Sequence, residues 1–127
     1  MGPIGVGAAI VAAAIHAWFF VLESVQFMRP TVYRRFGLAT DADARIARSF
    51  AFNQGFYNLF LAIGVGLGLG LAAAGDVPSG RAIVLFACGS MIAAGVVLVA
   101  HNRAFARAAL VQAVPPFLAV AGILLLG

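Results

Sequence analysis

Charged residues are scarce in this sequence. Only 9% of its 127 residues are Asp, Glu, Lys or Arg, whereas 64% are hydrophobic. A water-soluble domain carries about a quarter charged residues, because its surface needs a polar coat. So few charges exclude a soluble globular fold, and most of the surface must face lipid. The sequence therefore predicts an integral membrane protein.

Cysteine and other metal-binding residues are equally sparse. The one cysteine, Cys88, lies in an apolar run, which excludes an internal disulfide and any paired-cysteine metal or redox site. The apolar stretches add only His16, Glu23 and His101, at different depths, which does not fit a zinc, di-iron or haem centre. The glycine-rich GVGLGLG lies in an apolar stretch with no strand before it, so it is not a dinucleotide-binding motif. We therefore expect no metal and no cofactor.

Four apolar stretches are long enough to span a membrane, since a spanning helix needs roughly 20 mostly apolar residues. They cover about residues 4–28, 50–74, 82–100 and 108–126. The first has no basic segment before it and contains His16 and Glu23, so we expect it to be retained rather than cleaved as a signal peptide. The loops are too short to hold a further domain. Short loops make neighbouring helices antiparallel, so the prediction is an all-α four-helix up-down-up-down bundle, one domain over residues 1–127.

Arginine is distributed unevenly between the loops. Seven arginines fall in the first and third loops, and only Arg81 falls in the second. Basic residues in short loops stay on the cytoplasmic side. We therefore expect a multi-pass protein of the cell inner (cytoplasmic) membrane with both termini outside. The net charge of +4 then reflects topology and contact with anionic lipid headgroups, not nucleic-acid binding. Within the first loop, Thr40 or Asp41 can cap a short helix over residues 42–49.

Polar side chains are concentrated in the segment FNQGFYN, at the start of the second predicted span. Asn53 and Tyr57 are four residues apart, as are Gln54 and Asn58, so each pair occupies one stripe of a helix. An unsatisfied carboxamide in hydrocarbon costs several kcal/mol. We therefore expect these four side chains to turn away from lipid.

Other spans carry polar residues at a similar depth. Glu23, seven residues after His16, lies toward the cytoplasmic end of the first span, and Gln112 lies near that end of the fourth. An ionisable side chain in hydrocarbon is costly, so Glu23 should face the protein interior. We predict a polar ligand-binding pocket in the cytoplasmic half of the bundle. Its residues are His16, Glu23, Asn53, Gln54, Tyr57, Asn58 and Gln112.

Glycine alternates along the second span. Gly64 and Gly68 form one small-xxx-small pair, and Gly66 and Gly70 form another. Such pairs let a second helix approach closely, either within the chain or between copies of it. We therefore expect tight helix packing along this stretch.

Several of these elements together resemble a known family. They are His16, the LE at 22 and 23, and the segments VYRRFGL, FNQGFYNLFLAIGVGLGL and VQAVPPFLAV. They are similar to the family catalogued as domain of unknown function 1304, which comprises small four-helix membrane proteins, and the likeness covers nearly the whole chain. The resemblance implies the fold and a shared site around His16, Glu23, Gln112 and the FNQGFYN segment, but no reaction. Val114 and Pro116 stand where the family usually has small residues.

Three functions fit this pattern. In the first, the pocket binds a small lipophilic molecule, as a carrier or an accessory subunit would. In the second, the protein is a membrane-embedded isomerase or epimerase in which Glu23 or His16 moves a proton. In the third, the polar residues only join helices in a structural subunit of a larger membrane complex. The expected partners are the lipid bilayer, a small lipophilic ligand, and other copies of the chain or subunits of such a complex.

Overall fold

Helices make up nearly the whole structure. The computed structural model describes Met1–Gly127 and contains no strand. Four helical segments are long and apolar enough to cross a membrane. They are Pro3–Val25, Asp41–Ala73, Val77–His101 and Arg103–Leu125. The prediction of an all-α protein with four apolar helices is confirmed.

Two kinds of helix form the first apolar segment. Helix α1 spans Pro3–Phe20, and a π-helical turn continues it over Val21–Val25. In this turn the amide of Gln26 donates to the carbonyl of Val21 at 2.9 Å, five residues back instead of four. The predicted span 4–28 therefore ends three residues too late, because this turn closes the helix at Val25.

A compact loop follows the π turn. Helix α2 spans Pro30–Tyr33, and a 3-10 turn follows over Arg34–Phe36. Gly37 ends the turn with φ of 81°, a left-handed conformation that glycine adopts without steric cost. Phe27 and Tyr33 of this region are buried in a small apolar cluster with an alanine from the following helix.

Helix α3 is the longest element and spans Asp41–Ala73, which is 33 residues. Thr40 caps it, because its Oγ1 accepts a hydrogen bond from the Asp43 amide at 3.1 Å. The side chains of Asp41 and Arg45 form an ion pair at 2.7 Å in the first turns. The short surface helix predicted over residues 42–49 is therefore not separate from the second span. No glycine or proline interrupts the chain there, so one helix continues into the membrane.

Helix α4 spans Val77–His101, and helix α5 spans Ala106–Leu125 after a 3-10 turn over Arg103–Phe105. Helix α4 begins five residues before the predicted residue 82. The reason is a polar cap, since the Asp76 side chain accepts a hydrogen bond from the Ser79 amide at 3.2 Å, followed by a proline in the first turn.

The chain divides into two compact units. The first unit comprises Met1–Ile15 and Leu61–Gly127, so it contains parts of all four apolar segments. Its core is made of small and aliphatic side chains from α1, α3, α4 and α5. They are Ala9, Ala12, Val65, Val84, Ala87, Cys88, Met91, Ala119 and Ile123. This unit is by itself a bundle of four helical segments around one apolar core.

The second unit comprises His16–Phe60, which is the end of the first segment, the loop and the first half of α3. It is a helical hairpin. The single domain over residues 1–127, the up-down-up-down order and the outside location of both termini stay predictions.

Close packing in the first unit depends on one of the four alternating glycines. A Cβ added to Gly68 would lie 2.7 Å from the carbonyl oxygen of Gly80, too close for any side chain. A Cβ on Gly64 would make an ordinary contact at 3.7 Å, and one on Gly66 or Gly70 would meet nothing within 4 Å. Gly68 therefore has an internal packing role, whereas Gly66 and Gly70 lie on an open face.

Candidate functional site

A buried carboxyl group and a buried carboxamide meet within the second unit. Glu23 is 8% exposed and Asn58 is 4% exposed. Asn58 Nδ2 donates a hydrogen bond to Glu23 Oε1 at 2.8 Å. Glu23 belongs to the π turn and Asn58 to α3, so this bond joins the two sides of the hairpin. The expected contact between the two side chains is present, and their role in binding stays a prediction.

A close backbone approach holds the two sides of the hairpin together near this bond. Ser24 Oγ donates to the carbonyl oxygen of Phe52 at 2.7 Å. A Cβ added to Gly55 would overlap the Ser24 hydroxyl and would lie 3.0 Å from the Ser24 amide nitrogen. Glycine at 55 is therefore required for the approach, and Asn58 follows three residues later on the same face of α3.

The π turn determines where the carboxyl group lies. A π turn places one extra residue in the helix, so the side chains after it are displaced from the register of a straight α-helix. Glu23 is the central residue of this turn. Single π turns inside α-helices are rare and are found frequently at functional sites. This local geometry supports a functional role for the buried carboxyl group.

A small cavity opens beside Glu23. Its volume is about 80 Å³. The residues that line it are Glu23, Ser24, Val25, Phe27, Met28, Arg48 and Phe52. A cavity needs a volume of roughly 10–15 Å³ to hold one water molecule. This cavity therefore holds a few waters or one small polar group. The cavity is thus much smaller than a pocket for a complete lipophilic molecule.

An apolar wall runs along α3 next to this cavity. The ring centroids of Phe52 and Phe56 are 5.1 Å apart, and those of Phe56 and Phe60 are 6.1 Å apart. Phe20, at the end of α1, packs edge-on against Phe56 at 5.1 Å. Phe52 is the member of this aromatic row that lines the cavity.

Three of the polar residues in the FNQGFYN segment do not face the interior. Asn53, Gln54 and Tyr57 are exposed, Tyr57 to 60%. The expectation that they turn toward Glu23 is wrong. The face of α3 that meets the π turn contains Gly55 and Asn58, and at about 100° per residue Asn53 and Tyr57 point well away from it. Their predicted role in ligand binding stays a prediction.

The remaining two predicted residues do not line the cavity. His16 is fully buried, and its ring packs edge-on against Phe19 with centroids 5.2 Å apart. Gln112 is half-buried in α5 and belongs to the first unit. Of the seven residues predicted for the pocket, Glu23 alone lines this cavity.

Sequence analysis missed Ser24, Arg48 and Gly55. Arg48 was interpreted only as a topology determinant, but it lines the cavity. Positions 48, 52 and 55 follow the spacing of one helix face, at i, i+4 and i+7. The sequence contains this spacing, but the three residues share a helix face only because α3 begins at Asp41 and includes all three positions.

The fold and the site together define a multi-pass membrane protein with four apolar helices and a buried carboxyl group beside a small polar cavity. Residues 10–124 match the family described as "Protein of unknown function (DUF1304)", and the chain belongs to this family. The resemblance found in the sequence is thereby confirmed. Comparisons with curated proteins and with solved structures found no match.

Proposed function

We propose that the protein binds the polar end of a small amphiphilic molecule in the cavity beside Glu23. One observation carries this proposal: a buried carboxyl group, hydrogen-bonded by Asn58, lines a cavity that Arg48 also lines. Burying an ionisable side chain in a membrane protein costs several kcal/mol, and such residues usually mark functional sites. A bond between helices alone needs no carboxyl group, since carboxamides can make it.

The chemistry of the cavity wall limits the class of ligand. A carboxyl group accepts a hydrogen bond from a hydroxyl or an amine, and a guanidinium group donates to a carbonyl, carboxylate or phosphate oxygen. The volume of about 80 Å³ admits only a few heavy atoms. The ligand therefore has a small polar end with both a donor and an acceptor, and its apolar part remains outside the cavity.

The rim of the cavity suits that apolar part. Val25 is 67% exposed and Phe52 is 52% exposed, and both line the cavity. Val25 is the last residue of the first apolar segment, and Phe52 follows Arg48, the last arginine of the arginine-rich loop, by four residues. The distribution of arginine supports placing this end on the cytoplasmic side of the inner membrane. A carrier or accessory subunit could then accept an amphiphile from the inner leaflet.

Molecules that co-purify with matched variants test this proposal. Glu23→Gln keeps an acceptor for Asn58 but removes the ionisable group, and Arg48→Ala removes the guanidinium. Arg45→Ala is the control, because Arg45 lies one turn away, pairs with Asp41 and does not line the cavity. We expect mass spectrometry of detergent extracts to find one amphiphile with the wild type and the control. Its amount should fall about tenfold or more in the other two variants, since a hydrogen bond to a charged group contributes roughly 1.5–3 kcal/mol.

One result would contradict the proposal, and another would favour an alternative function. Folded Glu23→Gln and Arg48→Ala variants that retain the amphiphile at wild-type levels would show that the Glu23–Asn58 bond is structural. Conversion of the captured molecule by the wild type, and its loss in Glu23→Gln, would favour the isomerase or epimerase alternative.

A further inference from the structure

One face of helix α3 exposes a regular row of side chains. The row consists of Ile46, Phe50, Asn53, Tyr57 and Phe60, with successive spacings of 4, 3, 4 and 3 residues. This is the spacing of the core positions in a coiled coil. The exposed fractions are 76% for Ile46, 81% for Phe50, 60% for Tyr57 and 58% for Phe60. Asn53 is exposed as well. A complete interaction seam is therefore uncovered within the second unit.

Two members of the row are exposed in surroundings that disfavour their side chains. Ile46 lies between Arg45 and Arg48, and so outside the hydrocarbon, yet it is 76% exposed. Asn53 lies further along α3, in a stretch that has no charged residue until Asp76, and it too is exposed. Water disfavours the first arrangement and lipid disfavours the second. Protein contact relieves both costs.

We propose that a second copy of this chain covers the row, in a symmetric dimer in which α3 packs in parallel against α3 of its partner. Two copies inserted with the same orientation are related by a twofold axis along the membrane normal. Each residue of the row then meets its own counterpart, with α3 in register.

The chemistry of the row fits a copy of itself. A carboxamide both donates and accepts hydrogen bonds, so Asn53 is self-complementary across a twofold axis. None of the five residues is charged, so two identical rows do not repel each other. A single asparagine among apolar core positions is a known means of selecting register and oligomeric state in coiled coils.

The dimer leaves the candidate site accessible. Gly55 and Asn58 lie on the face of α3 that meets the π turn, whereas the row lies on a different side of the helix. The proposal is therefore independent of ligand binding at Glu23, and either can fail alone.

Disulfide cross-linking in native membranes tests the position of the interface. The background is Cys88→Ala, which removes the one native cysteine. Single cysteines replace Ile46 or Asn53 in the row, or Phe52 as a control, which is half-exposed and at the same depth as Asn53 but faces another direction. We expect Ile46→Cys and Asn53→Cys to form disulfide-linked dimers with mild oxidant, at least tenfold more than Phe52→Cys.

Dilution of labelled protein in lipid vesicles tests the role of the carboxamide. Energy transfer between two fluorescent labels reports the dimer dissociation constant. Interhelical hydrogen bonds contribute roughly 0.6–2 kcal/mol, so Asn53→Leu should raise this constant about 3- to 30-fold, and Asn53→Gln should restore part of the affinity. Equal cross-linking by the Phe52→Cys control would overturn the proposal. So would an unchanged dissociation constant for Asn53→Leu, or cross-linking of the row only to a different protein.

Discussion

Asn58 donates a hydrogen bond to Glu23 over 2.8 Å, and this bond ties helix α3 to the π turn. Both residues are almost completely buried. Removing one partner of a buried polar pair leaves the other unsatisfied, which costs more free energy than removing both. The pair therefore behaves as a unit, and its members respond differently to substitution alone and together.

Asn58→Leu should lower the free energy of unfolding by roughly 1–3 kcal/mol, because Glu23 stays buried without its donor. The double variant Glu23→Leu/Asn58→Leu should lose less than the sum of the two single losses, since neither unsatisfied group remains. Unfolding of purified protein in mixed detergent micelles, carried out as a double-mutant cycle, measures the coupling. Additive losses would contradict a direct stabilising bond.

Gly55→Ala should destabilise the hairpin by roughly 1–3 kcal/mol, because the new methyl group displaces Ser24 from the carbonyl of Phe52. Gly66→Ala is the matched control on the same helix, since a Cβ there meets nothing within 4 Å. Alanine is favoured over glycine in a helix by up to about 1 kcal/mol, so this variant should be neutral or more stable. Thermal unfolding of both proteins in one detergent gives the comparison.

Gly68→Ala should also destabilise the protein, because its Cβ would lie 2.7 Å from the carbonyl oxygen of Gly80. Backbone atoms cannot move aside as a side chain can, so α3 and α4 must separate. We expect a loss of roughly 1–3 kcal/mol. Gly70→Ala, which meets nothing within 4 Å, should leave the unfolding temperature unchanged or raise it. Similar effects for the two alanines would mean that Gly68 has no special packing role.

Labelling of single cysteines in intact cells tests the membrane topology. In the Cys88→Ala background, a membrane-impermeant maleimide should react with Gly2→Cys but not with Ala39→Cys. Ala39 is exposed and precedes Thr40, so the cap of α3 remains intact. Permeabilised cells provide the control, because both sites should then react. Labelling at residue 39 alone in intact cells would reverse the predicted orientation.

The positions of the helices could be predicted from the sequence because they depend on local composition. Runs of apolar residues are properties of neighbouring residues, and the observed bounds follow them to within a few residues except at Asp41 and Val77. Both exceptions are helices that begin earlier than hydropathy indicates. Their polar first turns are helical because of capping, which hydropathy does not measure.

The directions of the polar side chains could be predicted only in part. The composition of FNQGFYN correctly indicated one contact, from Asn58 to Glu23. Which face of α3 points inward depends on the fit between Gly55 and Ser24, residues far apart in sequence. The π turn depends on a backbone hydrogen bond from Gln26 to Val21, for which no residue type is diagnostic.

The π turn also makes the length of the first segment as important as its composition. Deleting one residue between Val21 and Val25 would allow an ordinary α-helix, which hydrophobicity would tolerate without difficulty. The loop and α3 could keep their places, because an α-helical turn holds one residue fewer than a π turn. A deletion on the loop side of Glu23 would instead move the carboxyl group by one helix position, about 100° around the axis, relative to that loop. Such a change, which leaves Glu23 itself in the chain, would thus remove its side chain from Asn58.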